Sequence, residues 1–388
     1  MTTIRHYVEP RGQAALTLLD PIEAALGAGP AVCVDDSGPA APDDQVDVPD
    51  PAVAVRTSGS TGSPKLVLLP ADALRASADG TSARLAGPGH WLLALSTAHV
   101  AGLQVLIRSV LAGTTPTVQD TSKPFTARDF ADAVARMPAG TRYASLVPTQ
   151  LIRVLQDARA RDAAASFDAI LVGGASLAEA TAQEAAAAGI RVVTTYGMSE
   201  TCGGCLYDGQ PLDGVLVRAD DAGRLALGGP VVAAGYLNDG RFDTAGFSID
   251  DSGTRWFTTN DLGSMSGGRL ELTGRADDVI ISGGRNVAPA PVEAALVTLP
   301  GIREALVVGV PDAEWGSAVT ALIVPDRRTA SGVPELARIR SMLKPLVGPA
   351  ATPRTVLIVD ELPLRSLGKP DRKAATNLAA AGILEALE

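Results

Sequence analysis

The sequence predicts an α/β protein: a large N-terminal domain of layered sheets and helices with a β-rich part, then a small mobile α+β C-terminal domain. Three observations lead there. Short β-branched runs alternate with Ala-rich helical stretches through the first half of the chain, which argues for a largely parallel sheet covered by helices. The texture then changes over 207–275, where Gly, Asp and turn signals cluster between short strands. A new strand-and-helix unit starts after GRADDVIISGGRN (274–286).

Taken in order, AVAV (52–55) reads as a buried strand and TSGSTGSPK (57–65) as the loop behind it. WLLALSTAHVAGLQVLIRSVLAG (91–113) is the most apolar long stretch; His99, Gln104 and Arg108 interrupt it, so it reads as core rather than a membrane span. DAILVGG (168–174) is a strand ending in glycines. In the following SLAEATAQEAAAAG, Ser176 and Glu179 make a capping box and Gly189 a helix stop. IRVVTTYG (190–197) is the next strand, and GRLALGG, RWFTTND and RLELTGR supply the β-rich part. Beyond these, APVEAALVTL and PELARIRSMLKPL read as helices, and EALVVGV, VTALIV and RTVLIVDELP as strands. The boundary falls near Asp277, giving domains of 1–275 and 276–388.

A chain of 388 residues exceeds what one hydrophobic core usually covers, which fits two domains. Its net charge of −10 argues against a nucleic-acid or anionic-membrane surface. A polyanionic ligand would instead be held by local Lys, Arg and metal ions. Cys33, Cys202 and Cys205 are too few for a disulfide framework. The opening MTTIRHYVEPRG carries no apolar signal segment, so the expected location is the cytoplasm.

Six motifs bear on chemistry, and each also has a plainer reading. In TSGSTGSPK the glycines free backbone N–H groups, while Thr57, Ser58, Ser60, Thr61 and Lys65 add hydroxyls and an ammonium, so the loop can wrap a phosphate chain. It is not a Walker A loop, because Ser63 and Pro64 separate Gly62 from Lys65; the plainer reading is a Ser/Gly linker. In YGMSET (196–201), Tyr196 can stack on a base, Ser199 and Thr201 can bond phosphate, and Glu200 offers a hard oxygen for Mg²⁺. A polar strand-to-helix turn would look the same. Asp261 of TND can accept both ribose hydroxyls or merely shape a turn. GRADDVIISGG (274–284) suits a hinge as well as a solvated linker. PLRSLGKPDR (363–372) places Lys369 on a late loop, where a lysine can enter and leave a site or simply face solvent. CGGC (202–205) could bind metal, but with three cysteines and three histidines in the chain, packing is the better account.

The order TSGSTGSPK, LVGGAS, YGMSET, TND, GRADDVIISGG, PLRSLGKPDR resembles the adenylate-forming superfamily of acyl-CoA ligases, adenylation domains and luciferases, from about residue 50 to 373. Within it, STAHVAGLQVLIRSVLAG (96–113), ASLVPTQLIRVL (144–155) and YGMSETCGGCLYDG are similar to the branch that activates o-succinylbenzoate for menaquinone synthesis. The resemblance implies Mg²⁺ as cofactor, ATP and coenzyme A as co-substrates, and an acyl-adenylate made and then consumed by a thiol. It implies that Thr57, Ser58, Gly59, Ser60, Thr61, Gly62 and Lys65 hold the β- and γ-phosphates. Gly173, Gly174 and Ala175 would border the adenine, Tyr196 and Gly197 would lie against it, and Ser199 would meet the α-phosphate and the acid. Glu200 would hold Mg²⁺, Asp261 and Arg275 the ribose, and Lys369 would be the catalytic lysine of the first half-reaction. Asp277 matches the hinge, and Ser282, Gly283, Gly284 and Arg285 the coenzyme A side.

For the acid, the resemblance implies His99, Arg108, Ser145 and Ser199. Arg108 in an apolar helix is costly unless paired, either with a ligand carboxylate or with Asp129 or Asp132. Three features depart from the family pattern: only some fifty residues precede the phosphate loop, Asn260 stands where many relatives have Gly, and Arg224 where Glu is common. Other readings are a ligase for another small carboxylate, an adenylating enzyme loading a separate carrier protein, and an inactive nucleotide-binding relative. A homodimer is compatible with each.

Overall fold

The computed structural model describes residues 2–36, 41, 43–58, 64–327, 332–364 and 370–385. The chain divides into two compact units. The first comprises Met1–Arg218, Ala226–Thr259 and Gly267–Arg269; the second comprises Ala219–Leu225, Asn260–Ser266 and Leu270–Glu388.

Two seven-stranded sheets build the first unit. In one, Thr2–Val8, Ala31–Asp35 and Val53–Ser58 run parallel, and Pro64–Leu69 and Gly235–Asn238 extend them antiparallel. Strand side chains alternate between faces, so Ile4, Ala31, Cys33, Ala54, Leu66, Leu68 and Leu237 meet in one apolar cluster. In the other, His90–Leu93, Thr117–Val118, Arg142–Leu146, Ala169–Val172 and Val192–Met198 are parallel, with Gly203–Tyr207 added antiparallel. Leu92, Ala144, Leu146, Ile170 and Val172 face Phe130, Leu151, Val154 and Leu155 of the covering helices. Thr126 caps the first of these, Ala127–Val134, by accepting from the Asp129 N–H, a contact worth about 1 kcal/mol. Helices Ala71–Arg84 and Val100–Leu111 pack against Gly203–Tyr207. The second of these is apolar nearly all round, as a buried helix must be.

Three local expectations change. Thr57, Ser58 and Lys65 belong to strands rather than to a loop: Val53–Ser58 and Pro64–Leu69 form an antiparallel ladder that pairs Thr57 with Lys65. The helix after DAILVGG starts at Glu179 with Ala178 as N-cap, not at Ser176, because the chain stays extended through Ala178 (φ −63°, ψ 137°). Asp261 lies inside the strand Arg255–Ser266 rather than shaping a turn, since that strand pairs with Phe247–Ile249 and continues into pairing with Arg269–Arg275.

In the second unit, Ile302–Asp312, Gly316–Pro325 and Thr355–Ile358 make a three-stranded sheet. Val292, Leu296, Ile339 and Leu343 from helices Pro289–Leu296 and Leu336–Val347 cover one face, and Ala375 and Ala379 of Arg372–Glu385 cover the other. Among the described residues no helix is long and apolar enough to cross a membrane.

Candidate active site

The stem of the glycine-rich segment is well defined. Thr57 and Lys65 face each other across the ladder, so the ends of the intervening segment are held together. Gly59, Ser60, Thr61 and Gly62, and the Ser58 side chain, lie outside the described residues.

A single tyrosine joins two expected residues. Its phenol, on Tyr236, donates to Glu200 Oε1 at 2.8 Å, and Lys65 Nζ sits 4.9 Å from the centre of the same ring. Lys65 Nζ is also 3.8 Å from Asp243. Burial, and then the Glu200 charge, push the Tyr236 phenol well above its usual range, so it remains a donor that orients the carboxylate. Glu200 lies in the 3₁₀ turn Ser199–Thr201 at the end of Val192–Met198, and its carbonyl accepts from the Ala233 N–H at 2.9 Å. Tyr236 was not singled out from the sequence. Its setting in AAGYLNDG shows only a short strand between turns.

Close packing explains the neighbouring glycines. A Cβ at Gly173 would lie 2.3 Å from Thr195 Oγ1, and one at Gly197 2.0 Å from the Gly203 carbonyl oxygen. Gly174 and Ala175 are exposed beyond the strand Ala169–Val172, and Tyr196 is half-buried in Val192–Met198.

Arg108 is 7% exposed on Val100–Leu111. Its guanidinium carbon lies 5.0 Å from the centre of the Trp91 ring, and Nη2 donates to the Tyr207 hydroxyl at 3.5 Å. Its buried Nε has no hydrogen-bond partner among the described residues. The two protein carboxylates that the sequence suggested as partners are engaged elsewhere: Asp129 accepts from Thr126, and Asp132 pairs with Arg159 at 2.7 Å. An arginine held on an aromatic face with an unmet donor is prepared for an anion. His99 caps the same helix, and Ser145 is buried in the strand Arg142–Leu146. No hydrogen bond joins Ser145 to Arg108 among the described residues.

Within the second unit, Asp261, Arg275 and Asp277 come together. Arg275 donates to Asp277 through Nε and Nη2 at 2.9 and 2.8 Å, and to Asp261 through Nη1 at 2.9 Å. Burial alone would raise the Asp277 carboxyl; the Arg275 hydrogen bond and charge outweigh it and hold the group below its usual range. Two of the three features that the resemblance marked as departures touch one another here. Arg224 donates to Asn260 Oδ1 at 2.7 Å, and Asn260 Nδ2 donates to Asp277 at 3.3 Å.

The Ser282–Arg285 stretch closes a tight hairpin in which Gly283 (φ +56°) and Gly284 (φ +73°) are both left-handed, a turn that glycine pairs favour. Lys369 lies outside the described residues, but its flanks are tied. The Asp371 N–H donates to the Pro363 carbonyl at 2.9 Å. Arg372 donates to Asp278 at 2.8 Å, Glu293 at 2.6 Å and the Val307 carbonyl at 2.8 Å.

Other titratable clusters read as structural. Burial pushes the Cys205 thiol up to about 12 and raises Cys202 further still, so CGGC packs rather than reacts. His6, Cys33 and Asp35 converge within 4.8 Å, but their polar groups serve one another. The His6 ring bonds Asp35 and Asp44, Arg56 donates to Asp35 at 2.8 Å, and burial lifts the Cys33 thiol to about 12.

Solved structures show the class: the fold is that of the adenylate-forming enzymes. The chain belongs to the AMP-binding enzyme family, whose model matches residues 15–237, and the model of the AMP-binding enzyme C-terminal domain matches 291–369. It is 42% identical over 375 residues to a protein of Mycobacterium tuberculosis (strain CDC 1551 / Oshkosh) named probable 2-succinylbenzoate–CoA ligase, covering 94% of this chain and 96% of that one. ATP-bound MatB from Rhodopseudomonas palustris matches at TM-score 0.73 and 26% identity, over 96% of this chain and 78% of that chain. An E. coli MenE variant with bound OSB-AMS matches at TM-score 0.68 and 26% identity, over 90% and 73%.

Proposed function

We propose that the protein is an ATP-dependent ligase that adenylates o-succinylbenzoate and passes the acyl group to coenzyme A, giving o-succinylbenzoyl-CoA, AMP and pyrophosphate. The end-to-end match to the M. tuberculosis relative carries this reading. A buried arginine that pairs with no carboxylate among the described residues supports a substrate that brings two carboxylates, one to react and one to anchor.

In the first half-reaction a succinyl carboxylate oxygen attacks the α-phosphorus, and the bond to the pyrophosphate oxygen breaks. Negative charge builds on the phosphorus oxygens and the leaving group, so binding and charge stabilisation are most of the protein's task. In this reading the stem and loop from Thr57 to Lys65 bind the β- and γ-phosphates, and Ser199 contacts the α-phosphate. Gly173, Gly174, Ala175 and Tyr196 border the adenine, while Asp261 and Arg275 take the ribose. Glu200, a half-buried carboxylate oriented by Tyr236, suits Mg²⁺, which needs only one or two carboxylates beside phosphates. Bound there, the ion would supply charge neutralisation. Lys369 would stabilise the same charge from the C-terminal domain. In the second half-reaction the thiol sulfur attacks the acyl carbon, the thiol proton leaves and AMP departs. Turning at Asp277 would withdraw Lys369 and present the Ser282–Arg285 turn to coenzyme A.

Pyrophosphate release with o-succinylbenzoate, with and without coenzyme A, tests the reading. Release should need this acid, and thioester should form only with coenzyme A. Turnover of a different acid in a carboxylate panel, with none of this one, would overturn it.

Two further outcomes are expected. Tyr236→Phe removes a hydrogen bond to a charged group and should slow adenylate formation about tenfold to a hundredfold, with a higher Mg²⁺ half-saturation. An unchanged Mg²⁺ dependence would detach Tyr236 from the metal. Asp277→Pro fixes φ at the hinge, so thioester formation should fall by about tenfold or more while adenylate still forms. Asp277→Asn, which keeps the backbone free, serves as the control. Normal thioester rates in the proline variant would place the hinge elsewhere.

A further inference from the structure

A buried hydroxyl relay fixes the direction of the contact that holds Arg108. Thr81, 1% exposed on Ala71–Arg84, donates its hydroxyl proton to the Ser77 carbonyl one turn back at 2.8 Å. A threonine hydroxyl has one proton; spent on the Ser77 carbonyl, it leaves Thr81 the acceptor at its 2.9 Å contact with the Tyr207 hydroxyl, where either oxygen could otherwise donate. Tyr207, also 1% exposed, must therefore donate to Thr81. That leaves a phenol lone pair as the acceptor for Arg108 Nη2 at 3.5 Å. Trp91 holds the face of the same guanidinium, and Trp91 is itself braced by Tyr143, ring centres 5.0 Å apart. Buried Nε remains without a hydrogen-bond partner among the described residues.

From this relay we infer that Tyr207 is a positioning residue for acid selectivity: Thr81 locks its hydroxyl as an acceptor, which aims the Arg108 guanidinium with Nε left for the second carboxylate of the substrate. The inference rests on the proposed role of Arg108. Had Thr81 offered a proton, the phenol could have turned its own hydrogen toward Arg108 and repelled the cation. Trp91 alone fixes the plane of the guanidinium but not its rotation within that plane. Tyr207 supplies the second constraint.

The test compares o-succinylbenzoate with 4-oxo-4-phenylbutanoate, the same acid without the ring carboxylate. The readout is the ratio of kcat/KM for the two acids, so a partly misfolded fraction cancels. Tyr207→Phe keeps the ring and removes the acceptor. It should lower the ratio about fivefold to tenfold through KM for o-succinylbenzoate, leaving the KM for ATP and the turnover of the second acid unchanged. Thr81→Val should act in the same direction, and Thr81→Ser, which retains the relay, should restore the wild-type ratio. Equal losses for both acids would show a packing role and overturn the inference. So would an unchanged ratio in Tyr207→Phe while Arg108→Leu collapses it; that outcome leaves the anchor reading standing. An unchanged ratio in Arg108→Leu removes the anchor itself, and the inference with it.

Discussion

Replacing Lys369 with alanine is expected to abolish adenylate formation while largely sparing the reaction of pre-made acyl-adenylate with coenzyme A. Removing one charge-stabilising donor at a developing phosphorane should cost about 10²-fold or more in the first step. The described flanks favour such a role for this segment. Its ends are drawn together by the bond from Asp371 to Pro363, and Arg372 anchors the far side to Asp278 and Glu293. A lysine on a short, tethered segment can reach a reacting centre at a smaller entropic cost than one on a free tail. Pyrophosphate release measures the first step, and thioester formation from synthetic adenylate measures the second. Equal loss in both would sink the two-conformation mechanism.

Arg108→Leu should raise KM for o-succinylbenzoate strongly and leave the KM for ATP intact. The lost charge-assisted contact should cost about 2–5 kcal/mol, because the ligand carboxylate would then be buried without a partner. Asp129 and Asp132, the protein carboxylates that might have competed for Arg108, are bonded to Thr126 and Arg159. The variant should therefore leave no acid stranded inside the protein and should fold. Steady-state kinetics with both substrates decide the matter: an unchanged KM for the acid takes Arg108 out of the site.

What the sequence reveals here divides along the range of the interactions involved. The strands at 169–172 and 192–198 and the helices Pro289–Leu296 and Leu336–Val347 were legible because apolar runs and helical periodicity are local, whereas the helix Arg372–Glu385 was not read from the sequence. The burial of Arg108 was legible as well, because it interrupts an apolar run; its role toward the acid came from the resemblance. The pairing of Thr57 with Lys65 was not, because Ser and Gly between them favour a loop and the stabilising ladder continues into Gly235–Asn238, distant in sequence. TND misled in the same way. Asn and Asp are turn formers, yet two neighbouring strands hold Asp261 in a long strand where it is 9% exposed. Tyr236 and Tyr207 gave no local signal at all. A phenol acquires meaning only when folding delivers Glu200 or Arg108 to it. The phosphate-loop tip and Lys369 were read from motif order, and they lie outside the described residues.

The bond between Arg224 and Asn260 couples two positions that are distant in sequence. The resemblance marked both positions as departures from the family pattern, and the bond makes a change at one alter the setting of the other. Arg224→Glu would set a carboxylate against the amide oxygen of Asn260. Asn260→Gly would leave Arg224 facing the Asp277 region without the amide that now stands between them. Substitutions at 224 and 260 should therefore be non-additive, as expected for two residues in direct contact. For the same reason, chimeras assembled from family members should carry residues 224 and 260 from a single parent.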